Sequence, residues 1–213
     1  MKIVCLADTH SQWSKVKTPE ADVLIHAGDW DCFYTETFKK FLEWFVGQPQ
    51  KYKILVAGNH DKLAFILPDE VKRYCKHLCY YLEDSGVTIE GVNFWGSPWT
   101  PKFGNWFFTK QRGPELKKHW DKIPLNTDVL ITHGPAFGKF DEVRKANGDI
   151  QGNVGDVDLM NVITDIRPKV HICGHLHDNH GSEQHGETLF INATLCGIGN
   201  NIEYEPIVFD MPS

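Results

Sequence analysis

Two short patterns in this 213-residue chain bring together side chains that bind metal ions: Asp8-Thr9-His10 near the start and Gly174-His175-Leu176-His177 far downstream. Residues two apart on an extended segment point to the same side, so Asp8 and His10 can converge on one point. A carboxylate and an imidazole aimed at one point form a half-site for a metal ion. Three further patterns lie between them: Gly28-Asp29, Gly58-Asn59-His60-Asp61 and His133-Gly134-Pro135. With His60 set aside, the donors Asp8, His10, Asp29, Asn59, His133, His175 and His177 are all oxygen or nitrogen. They are too many for one tetrahedral ion and suit two ions sharing a bridging carboxylate. Two ions roughly 3.5–4 Å apart can lower the pKa of a shared water, hold a phosphoryl oxygen and stabilise both ends of an in-line displacement.

The elements that must position these groups are apolar runs. Residues 3–7, 21–27, 53–57, 128–132 and 169–173 each read as a strand, and each delivers one of the five patterns. Open α/β sheets hold ligands at the carboxyl ends of their strands, so five such ends describe one site. Gly28, Gly58, Gly134 and Gly174 permit sharp turns and close backbone approach there. An amphipathic helix is predicted from Thr35 to Gly47, with Phe38, Phe41, Leu42, Phe45 and Val46 on one face. Further helices are predicted over residues 69–82 and from Leu159 to Ile166, the latter closed by Pro168. A β-hairpin is predicted around Gly91, and residues 188–192 and 206–210 read as final strands. Residues 95–108 read as an aromatic loop or several turns and residues 138–155 as a long polar loop. Strands alternating with helices and then paired strands indicate an α/β fold with mixed sheets, in one domain spanning residues 1–213.

Composition excludes several classes. With 41% hydrophobic and 23% charged residues the chain is neither disordered nor fibrous. A net charge of -6 argues against a protein that lives on nucleic-acid backbone. The six cysteines lack C-x-x-C spacing and read as reduced thiols, no stretch approaches a membrane span, and the cytoplasm is the expected compartment.

The order D-x-H, G-D, G-N-H-D, H and G-H-x-H resembles the calcineurin-like metallophosphoesterase superfamily. The segments 95–99, 132–135, 166–169 and 191–193 look like its small metallophosphoesterase-domain-containing branch, near class III cyclic nucleotide phosphodiesterases. The resemblance implies a four-layer αββα sandwich, mixed sheets flanked by helices. It implies one metal on Asp8, His10, Asp29 and His177 and a second on Asn59, His133, His175 and the bridging Asp29. His60 would contact the substrate phosphate and protonate the leaving oxygen, with Asp61 beside it as orienter. The implied reaction is attack of a metal-bridging hydroxide on a small phosphodiester, with a cyclic nucleotide as one option. A nuclease, or a non-catalytic scaffold of the same fold, is the alternative. The ions would be two divalent or trivalent metals drawn from Mn, Fe, Zn, Co or Ni. Some members of the branch carry glycine for one histidine of the last motif, whereas this chain keeps both His175 and His177. Family phosphoprotein phosphatases carry an arginine after the second motif and another before Asn-His; both are missing here, which favours diesters over the more highly charged monoesters.

Several side chains carry weaker expectations. Trp99, Phe103 or Trp106 could form a wall on which a nucleobase stacks. Trp30 could line the pocket or cover the metal, and Lys139, Arg144 and Lys145 could meet a second phosphate. Cys75 and Cys79 read as packed neighbours. Six histidines outside the constellation (His26, His77, His119, His171, His180 and His185) receive no role.

Overall fold

Apolar runs with no polar face fold as strands covered on both sides. The computed structural model describes residues 1–144, 149–197 and 199–211 and places these runs in two sheets. The chain opens with β1 (Lys2–Leu6), β2 (Val23–Ala27), α1 (Thr35–Val46), β3 (Tyr52–Val56), α2 (Lys62–Ile66), α3 (Pro68–Cys75) and β4 (Tyr80–Leu82). It continues through β5 (Ser85–Ile89), β6 (Val92–Ser97), β7 (Thr100–Pro101), β8 (Thr109–Lys110), α4 (Pro114–Trp120) and β9 (Val129–Thr132). The last part holds β10 (Glu142–Arg144), β11 (Ile150–Asn153), α5 (Val157–Ile166), β12 (Val170–Cys173), β13 (Gly181–His185), β14 (Thr188–Asn192) and β15 (Ile207–Asp210).

The first sheet runs β15-β1-β2-β3-β4, parallel except for β15. The second runs β13-β14-β12-β9-β6-β5, with a parallel centre and antiparallel edges. Alternation along each strand decides what packs where. Ile3, Cys5 and Ala7 of the opening segment pack with Val129, Ile131, Val170, Ile172 and Ile191 in the core between the sheets. Val4 and Leu6 face the other way, toward Phe38, Phe41, Leu42 and Phe45 of α1. On the far side of the second sheet, Leu130 and Phe190 meet Leu116 and Trp120 of α4 and Leu159 and Ile163 of α5. The layers are therefore helix, sheet, sheet, helix, as expected. Each large side chain buried this way contributes about 1.5–3 kcal/mol.

Two sequence expectations are corrected. The helix predicted over residues 69–82 stops at Cys75; Leu78 is exposed, and Tyr80–Leu82 pairs with β3 because Leu82 completes the inter-sheet core. The polar stretch 138–155 contains the antiparallel ribbon β10–β11, held at its base by the buried carboxylate of Asp141, which accepts from Asn153 Nδ2 and Gly155 N. The aromatic stretch is irregular, as expected, and is tied at its ends by β7 pairing with β8. Helices α2 and α4 and strand β13 had no clear signal in the apolar pattern. Among the described residues no helix is long and apolar enough to cross a membrane.

Candidate metal centre

The two sheets meet where β1 ends. Ala7 N donates to Ala193 O at 2.8 Å and Leu195 N to Ala7 O at 2.9 Å, so the end of β1 lies against the ends of β12 and β14. Backbone bonds continue the junction: Asp8 N to Gly28 O (2.9 Å), His10 N to Asp29 O (3.1 Å), and Gly174 N to His133 O (3.0 Å). Loops from β1, β2, β3, β9 and β12 thus converge, and with them all seven expected metal ligands. Glycine is required where the loops touch. A Cβ on Gly58 would lie 2.3 Å from Asp29 Oδ1, and one on Gly174 would lie 2.5 Å from Asp8 Oδ2.

Asp8, His10, Asp29, Asp31 and His175 all hold positive φ, between 38° and 73°. Such conformations cost non-glycine residues on the order of 1–3 kcal/mol each and gather at functional sites.

Asp8, His10 and His177 form one group whose ligand atoms lie within 4.8 Å of one another, and Asp8, Asp29 and His133 form a second. His10 Nε2 and His177 Nε2 face each other at 3.1 Å. Asp29 stands between the halves: Oδ2 is 3.9 Å from His10 Nε2, and Oδ1 is 3.4 Å from His133 Nε2. His133 Nδ1 donates to Ala27 O at 3.0 Å, which turns Nε2 toward Asn59 Oδ1 at 2.9 Å. A ligating histidine held by a backbone carbonyl on its other nitrogen is the usual arrangement at metal sites. His175 lies beside this half, its ring centroid 5.1 Å from that of His133, and its backbone N–H donates to Asp8 Oδ2 at 2.8 Å.

The electrostatics fit a cation. Asp8, Asp29 and Asp61 are buried, and the ion-pair partners of Asp8 and Asp29 among the described residues are histidines. Asp8 Oδ1 is buried with no hydrogen-bond partner. Burial pushes the Asp8 carboxyl above its ordinary value, and the nearby charge of Asp29 adds to this against the pull of His133. Burial also opposes ionisation of Asp29, but His133, His60 and His10 outweigh it and hold this carboxyl below the usual range. His133 answers: burial disfavours its charge, yet Asp29 raises it to about 9. His175 is pushed down to about 3 by burial and by the charge of His133, leaving a neutral imidazole able to ligate.

His60 lies outside the two ligand groups that contain Asp8. Its backbone N–H donates to Asp29 Oδ1 at 2.8 Å, and its ring lies 4.2 Å from that of Trp106 and 4.7 Å from that of His10. Burial pushes it below its ordinary value, against the pull of Asp29 and Asp31. The expected orienting role of Asp61 is not what the geometry gives. Its carboxylate accepts from the backbone N–H groups of Gly58 (2.7 Å), Asp31 (2.8 Å) and Asp29 (2.9 Å), so it ties the second loop to the third. The carboxylate facing His60 is Asp31, with Oδ1 4.0 Å from His60 Nδ1. Asp31 also forms a ligand-atom group with His10 and His60. Sequence reasoning passed over it, although its spacing of two from Asp29 carried the signal.

Trp30 neither lines the site nor covers it. It is fully buried against α1, its ring 5.3 Å from that of Phe41 and Nε1 donating to Val56 O. Trp99 packs on His119, whereas Phe103 and Trp106 are about 40% exposed and lie beside His175 and His60. Lys139 pairs with Glu183, Arg144 ends β10, and Lys145 lies outside the described residues. Cys75 and Cys79 are free thiols at the end of α3.

The sequence matches the calcineurin-like phosphoesterase family, whose members are metal-dependent phosphoesterases, over residues 1–179. The chain belongs to that family. It is 40% identical over 226 residues to UPF0046 protein K07C11.7 of Caenorhabditis elegans, covering all of this chain and 76% of the relative. It is 36% identical over 236 residues to human metallophosphoesterase domain-containing protein 1, covering all of this chain and 71% of the relative. The crystal structure of TT1561 of Thermus thermophilus aligns with a TM-score of 0.58 at 10% identity, over 90% of this chain and 88% of that one, a likeness of fold alone.

Proposed function

We propose that this chain is a dinuclear metal-dependent phosphodiesterase acting on a small diester. The supporting observation is Asp29, one carboxylate whose two oxygens face opposite halves of the ligand set. Asp8, His10 and His177 would hold one ion with Asp29, and Asn59, His133 and His175 the other. Two such ions supply an activated water and polarise the phosphoryl oxygen. His60, partly exposed beside them, places its imidazole where the leaving oxygen departs. A bound phosphoryl anion is the charge that would raise its pKa and let it donate the proton. The diester assignment rests on the segments 28–33 and 56–61, which lack the arginines that clamp a dianionic monoester. In the net reaction water adds to phosphorus, the bond to one ester oxygen breaks, and a monoester and an alcohol leave.

The test is turnover of cyclic nucleotides, chromogenic diesters, monoesters and oligonucleotides with Mn²⁺, alongside elemental analysis. Asp29→Ala should lose both ions and activity. His60→Ala should keep the ions and lose about 10²–10⁴ in turnover. Metal-dependent turnover surviving in Asp29→Ala would sink the proposal.

A further inference from the structure

We propose that a cavity beside His175 receives the ester substituent that stays on phosphorus, and that this substituent is a planar aromatic group. The inference rests on the phosphodiesterase reading above. The cavity measures about 330 Å³ and is walled mainly by Pro101, Phe103, Val143, Val154 and Leu176, with Thr100, Lys102, Arg112 and His175 also lining it. That volume and an apolar lining are those of a small-ligand site. Its walls come from the aromatic stretch and the β10–β11 ribbon, neither of which supplies an expected metal ligand. Leu176 belongs to it by lying between the two histidines of the last motif.

The rings give the site a direction. Trp106 lies 4.2 Å from His60, Phe103 lies 6.4 Å from Trp106, and Phe103 lies 5.0 Å from His175. An aromatic wall therefore runs from the group that would protonate the leaving oxygen to the mouth of the cavity. A diester bound with its leaving oxygen at His60 carries its other substituent along that wall. A monoester has nothing to put there.

Of the two cations that line the cavity, Lys102 is exposed to solvent and Arg112 is committed to the wall. Arg112 donates to Val154 O at 2.5 Å and Gly155 O at 2.7 Å and lies 3.4 Å from Asp156 Oδ2, so its guanidinium braces the cavity wall. Most of the remaining lining is apolar surface with the Phe103 ring, against which a flat group stacks for about 1–3 kcal/mol. On cleavage the bond from phosphorus to the oxygen at His60 breaks and a bond from water oxygen to phosphorus forms. One water proton ends on the departing alcohol and the other on the monoester, which keeps its aromatic substituent in the cavity.

The experiment compares phenyl 4-nitrophenyl phosphate with methyl 4-nitrophenyl phosphate, which share a leaving group, on Mn²⁺-loaded enzyme. Phe103→Ala should lower the phenyl-over-methyl ratio of kcat/KM by about tenfold, within the range stacking allows, and Val143→Asp, which sets a charge in the wall, should lower it as well. Calorimetric binding of the products should show the same fall in preference for phenyl phosphate over methyl phosphate. An unchanged ratio in both variants, with both diesters still turned over, overturns the cavity assignment alone. If the wild-type enzyme cleaves neither diester, the phosphodiesterase reading fails and the cavity's role goes with it.

Discussion

Asp61 separates two roles that its place beside His60 leaves confounded. If its carboxylate ties loops together, Asp61→Ala strands three backbone N–H groups, those of Gly58 and Asp29, which are buried, and that of Asp31, which is part-buried. Each unsatisfied donor costs about 1–3 kcal/mol. Relaxation of the two loops keeps the sum near the low end, and roughly 3–5 kcal/mol is expected, a large part of the ~5–15 kcal/mol that holds a typical domain. Asp61→Asn is a milder perturbation. Its one oxygen can replace Oδ2, which accepts from both Gly58 and Asp29, but its amide then faces the Asp31 N–H that Oδ1 now satisfies. One donor lost implies roughly 1–3 kcal/mol.

Urea unfolding of chelator-treated protein measures these losses without the added stabilisation that bound metal confers. Turnover at saturating Mn²⁺ provides the second reading. A loop tie predicts Asp61→Asn within about tenfold of wild type once loaded. An orienter of His60 predicts a loss closer to that of removing the general acid, ~10²–10⁴. An Asp61→Asn enzyme with unchanged urea midpoint, full metal content and a hundredfold loss of turnover would refute the loop-tie assignment.

Gly58→Ala should be among the most damaging single-methyl changes, because its Cβ would lie 2.3 Å from Asp29 Oδ1 and 2.6 Å from His133 Cε1. Elemental analysis should find the metal content lowered, and overpacking should cost about 1–3 kcal/mol in urea unfolding. His171 sets part of the acid limit of the fold: burial pushes it down to about 3 from an ordinary 6.5, so the unfolded chain binds a proton that the folded chain refuses. Its contribution is complete above pH 6.5 and is lost as pH falls from there toward 3, at up to ~1.4 kcal/mol per pH unit. His171→Phe should flatten that slope in denaturant midpoints measured across pH, since Thr132 Oγ1 keeps its bond to Gly134 O.

How much of this was legible in the sequence follows from what each residue touches. The ligand loops could be read because each follows an apolar run buried on both faces, and parallel strands deliver their next residues to a common edge. That the runs belong to two sheets is invisible locally; it depends on Ala7 bridging to residues 193 and 195, nearly the whole chain away. The helix expected through Leu82 fails for the same reason, since Leu82 is claimed by the inter-sheet core and Leu78 is left in solvent. Backbone conformation past the strand ends explains the errors beside the site. In the stretch 29–31, Asp29 and Asp31 both turn toward the histidines, and Trp30 between them must point away, into α1. Asp8, His10, Asp29 and Asp31 all hold positive φ past the ends of β1 and β2, so left-handed turns rather than strand alternation give Asp31 to the site and Trp30 to the core. Asp61 obeys no such rule. Its carboxylate is fixed by backbone groups of two loops that only the finished fold brings together, so its identity could be read from the motif but its work could not.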